Sequence, residues 1–371
     1  MSTTLSTNRR FSVKNLPIIA QIRTSEGVQR FMLVAGVAIT ALVILIAILA
    51  PLIAPYSWSQ TKANGVAFGT QQAPSASNIW GTTVSGYDVF SRVIWGSRTA
   101  VIVIICSLLA SAIIGVVVGL VSGYLGGWLD RMLVMVADAM YAFPSLLLAI
   151  VLSIILTGGQ SSYWGGIFSA AGSITVVFVP QYFRVIRAEA IRLKAEPFVE
   201  APRVLGASTP SIMFRHVLRN ATRSLPLLMT LNCSEAVFTL AGLGFIGFGI
   251  EPTAAAEWGY DLNRAISDVT AGIWWTALYP GLAIVLTVLG ITLMGESLND
   301  LADPRLRRRR GAVPQDEDTA QSEPHLVDIS TSTARHYVVR EPGETLPGVP
   351  LPPADTPSRA ADPLPELKEE S

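Results

Sequence analysis

Long apolar runs with almost no charge constrain this chain more than any other feature of its sequence. Of its 371 residues, 50% are hydrophobic and only 15% are charged, and the hydrophobic residues fall in blocks of bilayer-spanning length. Inside lipid a chain segment satisfies its backbone hydrogen bonds as a helix, so each block predicts one membrane helix. The predicted spans are Phe31–Ile53, Thr99–Tyr124, Met132–Leu156, Ser173–Ile191, Leu225–Phe248 and Trp275–Ser297. We therefore expect an all-α membrane protein with a six-helix transmembrane domain over residues 31–306.

The distribution of charge predicts the orientation of these helices. Counted near the spans, 19 Lys and Arg residues fall in the segments on one side and four in those on the other. Because basic flanks stay inside, both termini are expected in the cytoplasm. The predicted external segments are 56–98, 157–172 and 249–274, and the first ends in an interfacial helix anchored by Trp80, Trp95 and nearby arginines.

The two ends of the chain differ in composition from the spans. Residues 1–30 form a polar, basic cytoplasmic segment. Beyond Arg310 lie four of the 27 basic residues and 12 of the 27 acidic residues, in a segment rich in Pro, Ser and Thr. Such a composition predicts a disordered cytoplasmic tail over residues 307–371. Its opening run, Arg307 to Arg310, is read as the flank of the last helix, with contact to anionic membrane lipid as the alternative.

Several kinds of chemistry find no support in the sequence. Cys106 and Cys233 lie in apolar segments without a neighbouring sulfur or histidine, so we interpret them as small core residues. Two of the three histidines lie in the tail, which leaves no zinc-type spacing, and no GxxxxGK[ST] phosphate loop occurs. We expect no catalytic residue, metal, cofactor or nucleic acid, and hence not an enzyme.

The segment 184–223 is the most charged part of the chain between apolar runs, with eight of the 27 Lys and Arg residues. Apolar residues recur at near-helical spacing on both sides of Gly206, which supplies the backbone freedom that a tight turn needs. The pattern predicts two short helices joined at Gly206. The apolar positions are Val199, Ala201, Val204, Leu205, Ile212, Met213 and Val217. Two such helices are marginal alone, so their apolar faces imply a groove on another protein.

This segment resembles the cytoplasmic coupling loop of ABC-importer permease subunits. The resemblance lies in Glu200, Ala201 and Gly206, preceded by Phe198-Val199 and followed by Ala207-Ser208 and Phe214-Arg215-His216. The chain departs from the pattern at Pro202, where a second alanine is common, and at Arg219, where a proline is common. Pro202 is tolerable if the helix begins near Phe198. By resemblance, Phe198, Glu200, Ala201, Leu205, Gly206, Ala207 and His216 form the coupling helix that docks on the ATPase.

Further fragments resemble the oligopeptide and dipeptide branch of the same family, which includes nickel importers. They are Trp80-Gly81-Thr82, Gly86 to Arg92, Gly242 to Gly249, Glu257-Trp258-Gly259, Tyr279 to Leu282 and Asp303 to Arg307. The family commonly has an arginine where Tyr87 stands. Because independent fragments occur in the family's order over about residues 30–307, they are specific as a set.

The resemblance implies a type I ABC importer permease fold, one half of a translocation path in the bacterial inner membrane. The implied partners are a homologous permease subunit, two ATP-binding cassette ATPases that hydrolyse the ATP, and an extracytoplasmic solute-binding protein. The expected cargo is a dipeptide or oligopeptide, with nickel or another small solute as the alternative. A proton-coupled secondary transporter and a membrane scaffold are the rival classes.

Three features inside the spans carry separate predictions. Gly115, Gly119 and Gly123 recur every four residues, which favours close helix packing. Glu235 and Asp138 are ionisable groups within apolar runs and are functional candidates because burying a charge in lipid is costly. The alternative for Glu235 is a structural carboxyl bonded to Asn232 or Ser234, or across a permease dimer.

Overall fold

The computed structural model describes residues 27–157 and 162–302, and most of them are helical. The α-helices are α1 (Gly27–Ile53), α2 (Val89–Leu125), α3 (Gly127–Ala142), α4 (Ser145–Thr157), α5 (Tyr163–Lys194), α6 (Pro197–Val204), α7 (Thr209–Ser211), α8 (Leu218–Ala221), α9 (Leu225–Ile246), α10 (Trp258–Thr270) and α11 (Trp275–Ala302). A two-stranded antiparallel hairpin, β1 (Lys62–Ala63) and β2 (Val66–Ala67), lies between α1 and α2.

The predicted all-α fold with six membrane spans is confirmed. Within the described ranges, five helices are long and apolar enough to cross a bilayer, and the pair α3 and α4 makes a sixth when counted as one span. The third predicted span, Met132–Leu156, is therefore not one straight helix: its halves meet at 100° around Phe143 and Pro144. Pro144 lacks the amide that would continue the hydrogen-bond ladder, which explains the break.

The predicted close packing along the glycines of α2 is confirmed. A Cβ on Gly119 would lie 2.6 Å from the carbonyl oxygen of Phe183, and one on Gly123 would lie 2.6 Å from that of Arg187. Gly115 meets Tyr182 in the same way. Helices α2 and α5 therefore run side by side with their backbones nearly in contact.

Two predicted external loops are shorter than expected. α2 begins at Val89, ten residues before Thr99, because Asp88 caps it by accepting a hydrogen bond from the Ser91 amide at 2.8 Å. α5 begins at Tyr163, ten residues before Ser173, where the Ser162 hydroxyl accepts from the Gly165 amide at 3.1 Å. The expected loop 56–98 therefore ends at Asp88, and the expected loop 157–172 ends at Ser162. In both cases a capping side chain begins the helix in a stretch that is less hydrophobic than the predicted membrane span.

The start of α2 is buried, which corrects the prediction of an interfacial helix anchored by arginines. The Arg92 side chain is 2% exposed and its Nη2 lies 2.7 Å from Oδ1 of Asp261, which is 7% exposed. Arg92 also donates to the carbonyl oxygens of Trp58 and Pro252. Asp261 belongs to α10, so the predicted loop 249–274 contains a helix packed onto the bundle rather than an open acidic loop.

Most apolar side chains of the core come from α2, α5 and α9, joined by Trp258 of α10 and by Ile284 and Ile291 of α11. α1 packs on α11 and α2 at the edge of this group. A second, smaller core lies at the far end of α2 and α5, where Leu120, Tyr124 and Ile186 meet the segment after Lys194. That second core holds the segment predicted to carry the function.

Candidate functional site

The predicted turn between two helices exists and is centred on Gly206. α6 ends at Val204, and Gly206 has a φ of +83°, a left-handed conformation that glycine adopts cheaply. The Ala207 amide donates to the Pro202 carbonyl at 2.9 Å, and the Gly206 amide donates to the Arg203 carbonyl at 3.0 Å. This pair of bonds is a Schellman motif, which satisfies the last carbonyls of α6 and reverses the chain.

The second arm of the turn is not an independent short helix. It begins at Thr209 and passes through a π-helical stretch, Ile212–Val217, then α8 and a 3₁₀ turn, Thr222–Ser224. It then continues as α9, so that the helical stretch extends to Ile246. We call residues 197–224 the hairpin. The second arm of the hairpin is therefore continuous with a membrane helix.

The hairpin is fixed to the bundle by the second core. Val199, Ile212, Met213 and Val217 are each less than 5% exposed and pack against Tyr124, Ile186 and Leu193. Four of the seven apolar positions predicted to need another protein are therefore covered by α2 and α5 of the same chain. The sequence could not show this, because the covering residues lie up to 97 positions away in the chain, as Leu120 does from Val217.

Polar contacts on Tyr124 lock the first arm of the hairpin. Lys194 donates to the Tyr124 carbonyl at 2.7 Å, and an Nη of Arg203 lies 3.0 Å from the Tyr124 hydroxyl. Both cations also lie within 6.0 Å of the centre of the Tyr124 ring. The reasoning from sequence missed Tyr124 and Arg203, since nothing in the local pattern links them.

The tip of the hairpin remains apolar and uncovered. Val204 is 87% exposed and Leu205 is 86% exposed, and Phe198 and Phe214 flank them with more than a third of their surface accessible. A Cβ on Gly206 would meet no atom within 4 Å. Of the chain's own described residues, none covers this tip, which is the part of the predicted docking face that the fold leaves free.

The other predicted coupling residues surround this tip. Glu200 and Ala201 are exposed on α6, and Ala201 accepts the hydrogen bond from the Leu205 amide at 3.2 Å. Ala207 is half-buried against the second core. His216 is half-buried in the π-helical stretch, and its carbonyl accepts from the Asn220 side chain at 2.8 Å. The structure therefore brings Phe198, Glu200, Ala201, Leu205, Gly206, Ala207 and His216 into one hairpin.

Pro202 lies deeper in its helix than predicted. α6 begins at Pro197, so Pro202 is its sixth residue, beyond the first turn in which a proline costs nothing. The helix ends two residues later, at Val204. α6 therefore has about two turns, and the left-handed Gly206, two residues after its end, reverses the chain.

A groove of about 310 Å³ adjoins the hairpin between the end of α5 and the 3₁₀ turn. Its walls include Phe198 and the charged side chains of Glu189, Arg192, Glu196 and Arg223. Arg192 lies 2.7 Å from Glu189 within this wall. Phe198 belongs both to the groove and to the edge of the tip, so the two adjoin. The tip is apolar and the groove wall is charged.

The two carboxyl groups predicted inside the membrane have different surroundings. Asp138 on α3 forms an ion pair with Arg184 of α5 at 2.7 Å, and the guanidinium of Arg184 lies 4.0 Å from the centre of the Tyr141 ring. Glu235 on α9 is exposed on the surface of the subunit and lines a cavity. Among the described residues, no hydrogen bond joins the Glu235 carboxylate to Asn232 or Ser234; the Ser234 hydroxyl lies 3.0 Å from that of Thr292, and a bond across a permease dimer remains the structural alternative.

A buried acid, Glu257, was missed by the reasoning from sequence. It precedes α10 and accepts hydrogen bonds from the Gly259 amide at 2.7 Å and the Tyr260 amide at 2.9 Å. Burial raises the pKa of Glu257 to about 8, although these two amides and Arg92 favour the charged form. The fragment Glu257-Trp258-Gly259 was noted only for its resemblance, and the capping position was its physical signal.

An apolar bundle with a broken span, and a hairpin that joins a membrane helix to an uncovered apolar tip, define a membrane permease subunit. The chain belongs to the family described as the binding-protein-dependent transport system inner membrane component, whose model matches residues 115–308. This match spans the hairpin, the helix break and both intramembrane carboxyl groups. The family is a family of transport permeases of bacterial ABC importers and not of enzymes.

Relatives cover most of the chain. It is 34% identical over 274 residues to the dipeptide transport system permease protein DppC of Alkalihalophilus pseudofirmus, spanning 74% of this chain and 86% of the relative. It is 35% identical over 280 residues to the glutathione transport system permease protein GsiD of Salmonella typhimurium, spanning 75% of this chain and 88% of the relative. The predicted membership of the oligopeptide and dipeptide branch is thereby confirmed.

Proposed function

We propose that this permease subunit imports dipeptides or short oligopeptides and that the hairpin couples the import to ATP hydrolysis by two partner ATPases. The names of the relatives, which include a dipeptide permease and a glutathione permease, support a peptide cargo. Nickel or another small solute is the alternative cargo. The family assignment decides against the proton-coupled secondary transporter and the membrane scaffold.

The observation that carries the coupling role is the uncovered tip of the hairpin. Two large aliphatic side chains, Val204 and Leu205, are more than four-fifths exposed on a rigid turn whose other side is locked into the second core. Exposed aliphatic side chains on a fixed scaffold indicate a protein contact. The second arm runs into α9, so one helical stretch from Thr209 to Ile246 joins the tip to the membrane domain.

The remaining partners follow from the family's assembly. The subunit forms half of a path with a homologous permease, most simply as a heterodimer, and receives its cargo from an extracytoplasmic solute-binding protein. Both termini and the hairpin face the cytoplasm, while β1, β2 and α10 face outside. Membrane lipid surrounds the exposed apolar faces of α1, α4 and α11. The N-terminal residues 1–26 and the predicted acidic tail 307–371 lie outside the described residues.

The test of the coupling role replaces Leu205 with aspartate. Because Leu205 makes almost no contact within its own chain, Leu205→Asp leaves the fold intact but puts a charge at the docking surface. We expect membrane insertion to be normal while recovery of the ATPase with the purified permease falls about tenfold or more, the loss typical of an interface hot spot. Import falls in parallel.

The matched control is Val66→Asp. Val66 lies in the β1–β2 hairpin at the other end of the molecule and is 70% exposed, so it tolerates the same charge. It should leave ATPase recovery unchanged. Full ATPase recovery and full import by Leu205→Asp would rule out the hairpin as the coupling element.

A further inference from the structure

Glu235 places a carboxylate on an exposed stripe at the middle of a membrane helix. Glu235 lies ten residues from the start and eleven from the end of α9, which runs from Leu225 to Ile246. At 1.5 Å per residue, this is about 15 Å from either end. Leu231, Phe238 and Phe245 are exposed on the same face. A carboxylate at that depth does not face lipid, so this stripe of α9 faces a water-filled path or another subunit.

A cavity opens beside Glu235 where the third span is broken. It has a volume of about 120 Å³, and its walls come from both sides of the α3–α4 break, from α5 and from α9. The polar side chains in the walls are Tyr141, Ser145, Gln181 and Glu235, and Phe143 and Phe178 add aromatic surface. This volume is well above the roughly 10–15 Å³ that one water needs.

The charge around this cavity is unbalanced. The nearby Asp138 carboxylate is neutralised by Arg184 at 2.7 Å. Among the described residues, no ion pair involves the Glu235 carboxylate. The cavity therefore holds one acidic side chain without an ion-pair partner, beside tyrosine and phenylalanine rings, a combination that favours a cation.

We propose that this cavity binds the primary ammonium group at the amino terminus of a passing peptide, with Glu235 as its charged acceptor. Tyr141 and Gln181 offer further oxygen acceptors in the same walls. An ammonium group is the one cation common to peptides of every side-chain composition, so a path that admits varied peptides can hold them through it. This inference rests on the proposed peptide import.

The test uses the complete importer in proteoliposomes with its binding protein and a labelled alanyl-alanine dipeptide. Glu235→Gln keeps the size and removes the charge. We expect it to lower dipeptide import about tenfold, as the loss of one hydrogen bond to a charged group does, while subunit assembly and ATP hydrolysis are retained. Glu235→Asp should keep more than half of the import. Glu296→Gln, the same change at an exposed position of α11 away from the cavity, is the matched control.

A second measurement isolates the charge. In a Cys106→Ala, Cys233→Ala background, Glu235→Cys is treated with a thiosulfonate reagent that adds either a sulfonate or a trimethylammonium group. The sulfonate should restore import and the cationic group should not.

Three results would overturn the inference. One is unchanged import by Glu235→Gln, and another is equal effects of the two reagents. The third is dissociation of the permease pair in Glu235→Gln without peptide, which would assign Glu235 to a bond across the subunit interface. Failure of the unmodified importer to take up any dipeptide or short oligopeptide would instead refute the proposed function.

Discussion

At the scale of single residues, the buried charges at the start of α2 show how the fold treats an ion inside apolar surroundings. Arg92 is surrounded by the Asp261 carboxylate and by the carbonyls of Trp58 and Pro252, so its charge is compensated. Glu257 lies close by with two amide donors, and a Cβ on Gly244 would overlap its Oε2. Burial raises the pKa of Asp261 as well as that of Glu257.

The raised pKa of Glu257 predicts a pH-dependent stability. Its pKa is about 8 in the folded chain against an ordinary 4.5, so the folded state holds a proton that the unfolded state releases. This contribution is complete below pH 4.5 and is lost as the pH rises toward 8. Glu257→Gln should flatten the pH dependence of the unfolding temperature over that window. A single group changes the free energy of unfolding by at most about 1.4 kcal/mol per pH unit.

The measurement is the apparent unfolding temperature of the purified permease at pH 5, 6.5 and 8. Glu296→Gln provides the control for removing an exposed carboxyl. Equal slopes for wild type and Glu257→Gln would show that Glu257 is ionised in the folded chain at all three pH values.

At the scale of elements, the seam between α2 and α5 joins the two ends of the molecule. Helix α2 contacts Asp261 near its first turn and the hairpin core near its last, and α5 runs beside it. Three glycines let the two backbones approach closely. The seam therefore fixes the distance between the Arg92 cluster and the hairpin.

Gly119→Leu should separate this seam. The added side chain would enter the space of the Phe183 carbonyl and the Arg187 amide, and backbone atoms cannot rotate away. Overpacking of this kind costs roughly 1–3 kcal/mol, with the upper end expected here. The readout is the yield of monodisperse permease and its unfolding temperature.

Val117→Leu is the matched control for the seam, because Val117 is exposed on the other face of α2. It should behave as wild type. A normal yield and unfolding temperature for Gly119→Leu would mean that α2 and α5 are free to separate without loss of the fold.

At the scale of the whole molecule, the arrangement of ends leads to a topology prediction. The hairpin and the Arg92 cluster lie at opposite ends of α2, whose 37 residues extend about 55 Å. With the basic hairpin inside, Ala76 and Ser267 lie outside. These two residues, and Ser208 in the hairpin, are exposed. Within the predicted external segment 249–274, Ser267 is the suitable probe, because Ala254 to Gly259 are buried.

Single cysteines test this orientation in the background without Cys106 and Cys233. Ala76→Cys and Ser267→Cys should react with a membrane-impermeant maleimide in intact cells. Ser208→Cys, at the hairpin, should react only after the membrane is permeabilised. Reaction of Ser208→Cys in intact cells would invert the proposed orientation and remove the cytoplasmic role of the hairpin.

Local patterns in the sequence predicted the class of fold, the approximate positions of the spans and the turn at Gly206. These features depend on local physics: apolar length sets a membrane span, and a left-handed backbone favours glycine. The four-residue spacing of Gly115, Gly119 and Gly123 likewise predicted a contact face, because it follows from the period of one helix.

Only the tertiary structure decided which residues are covered and which stay free. Val199 and Leu205 lie in the same predicted apolar stripe, yet the first is buried beneath α5 and the second is 86% exposed. Arg92 and Asp261 are 169 positions apart and form a buried pair that no local pattern contains. Periodicity identifies the apolar face of a helix, but burial and charge pairing depend on which distant segment packs against that face, and the assembled fold alone specifies that neighbour.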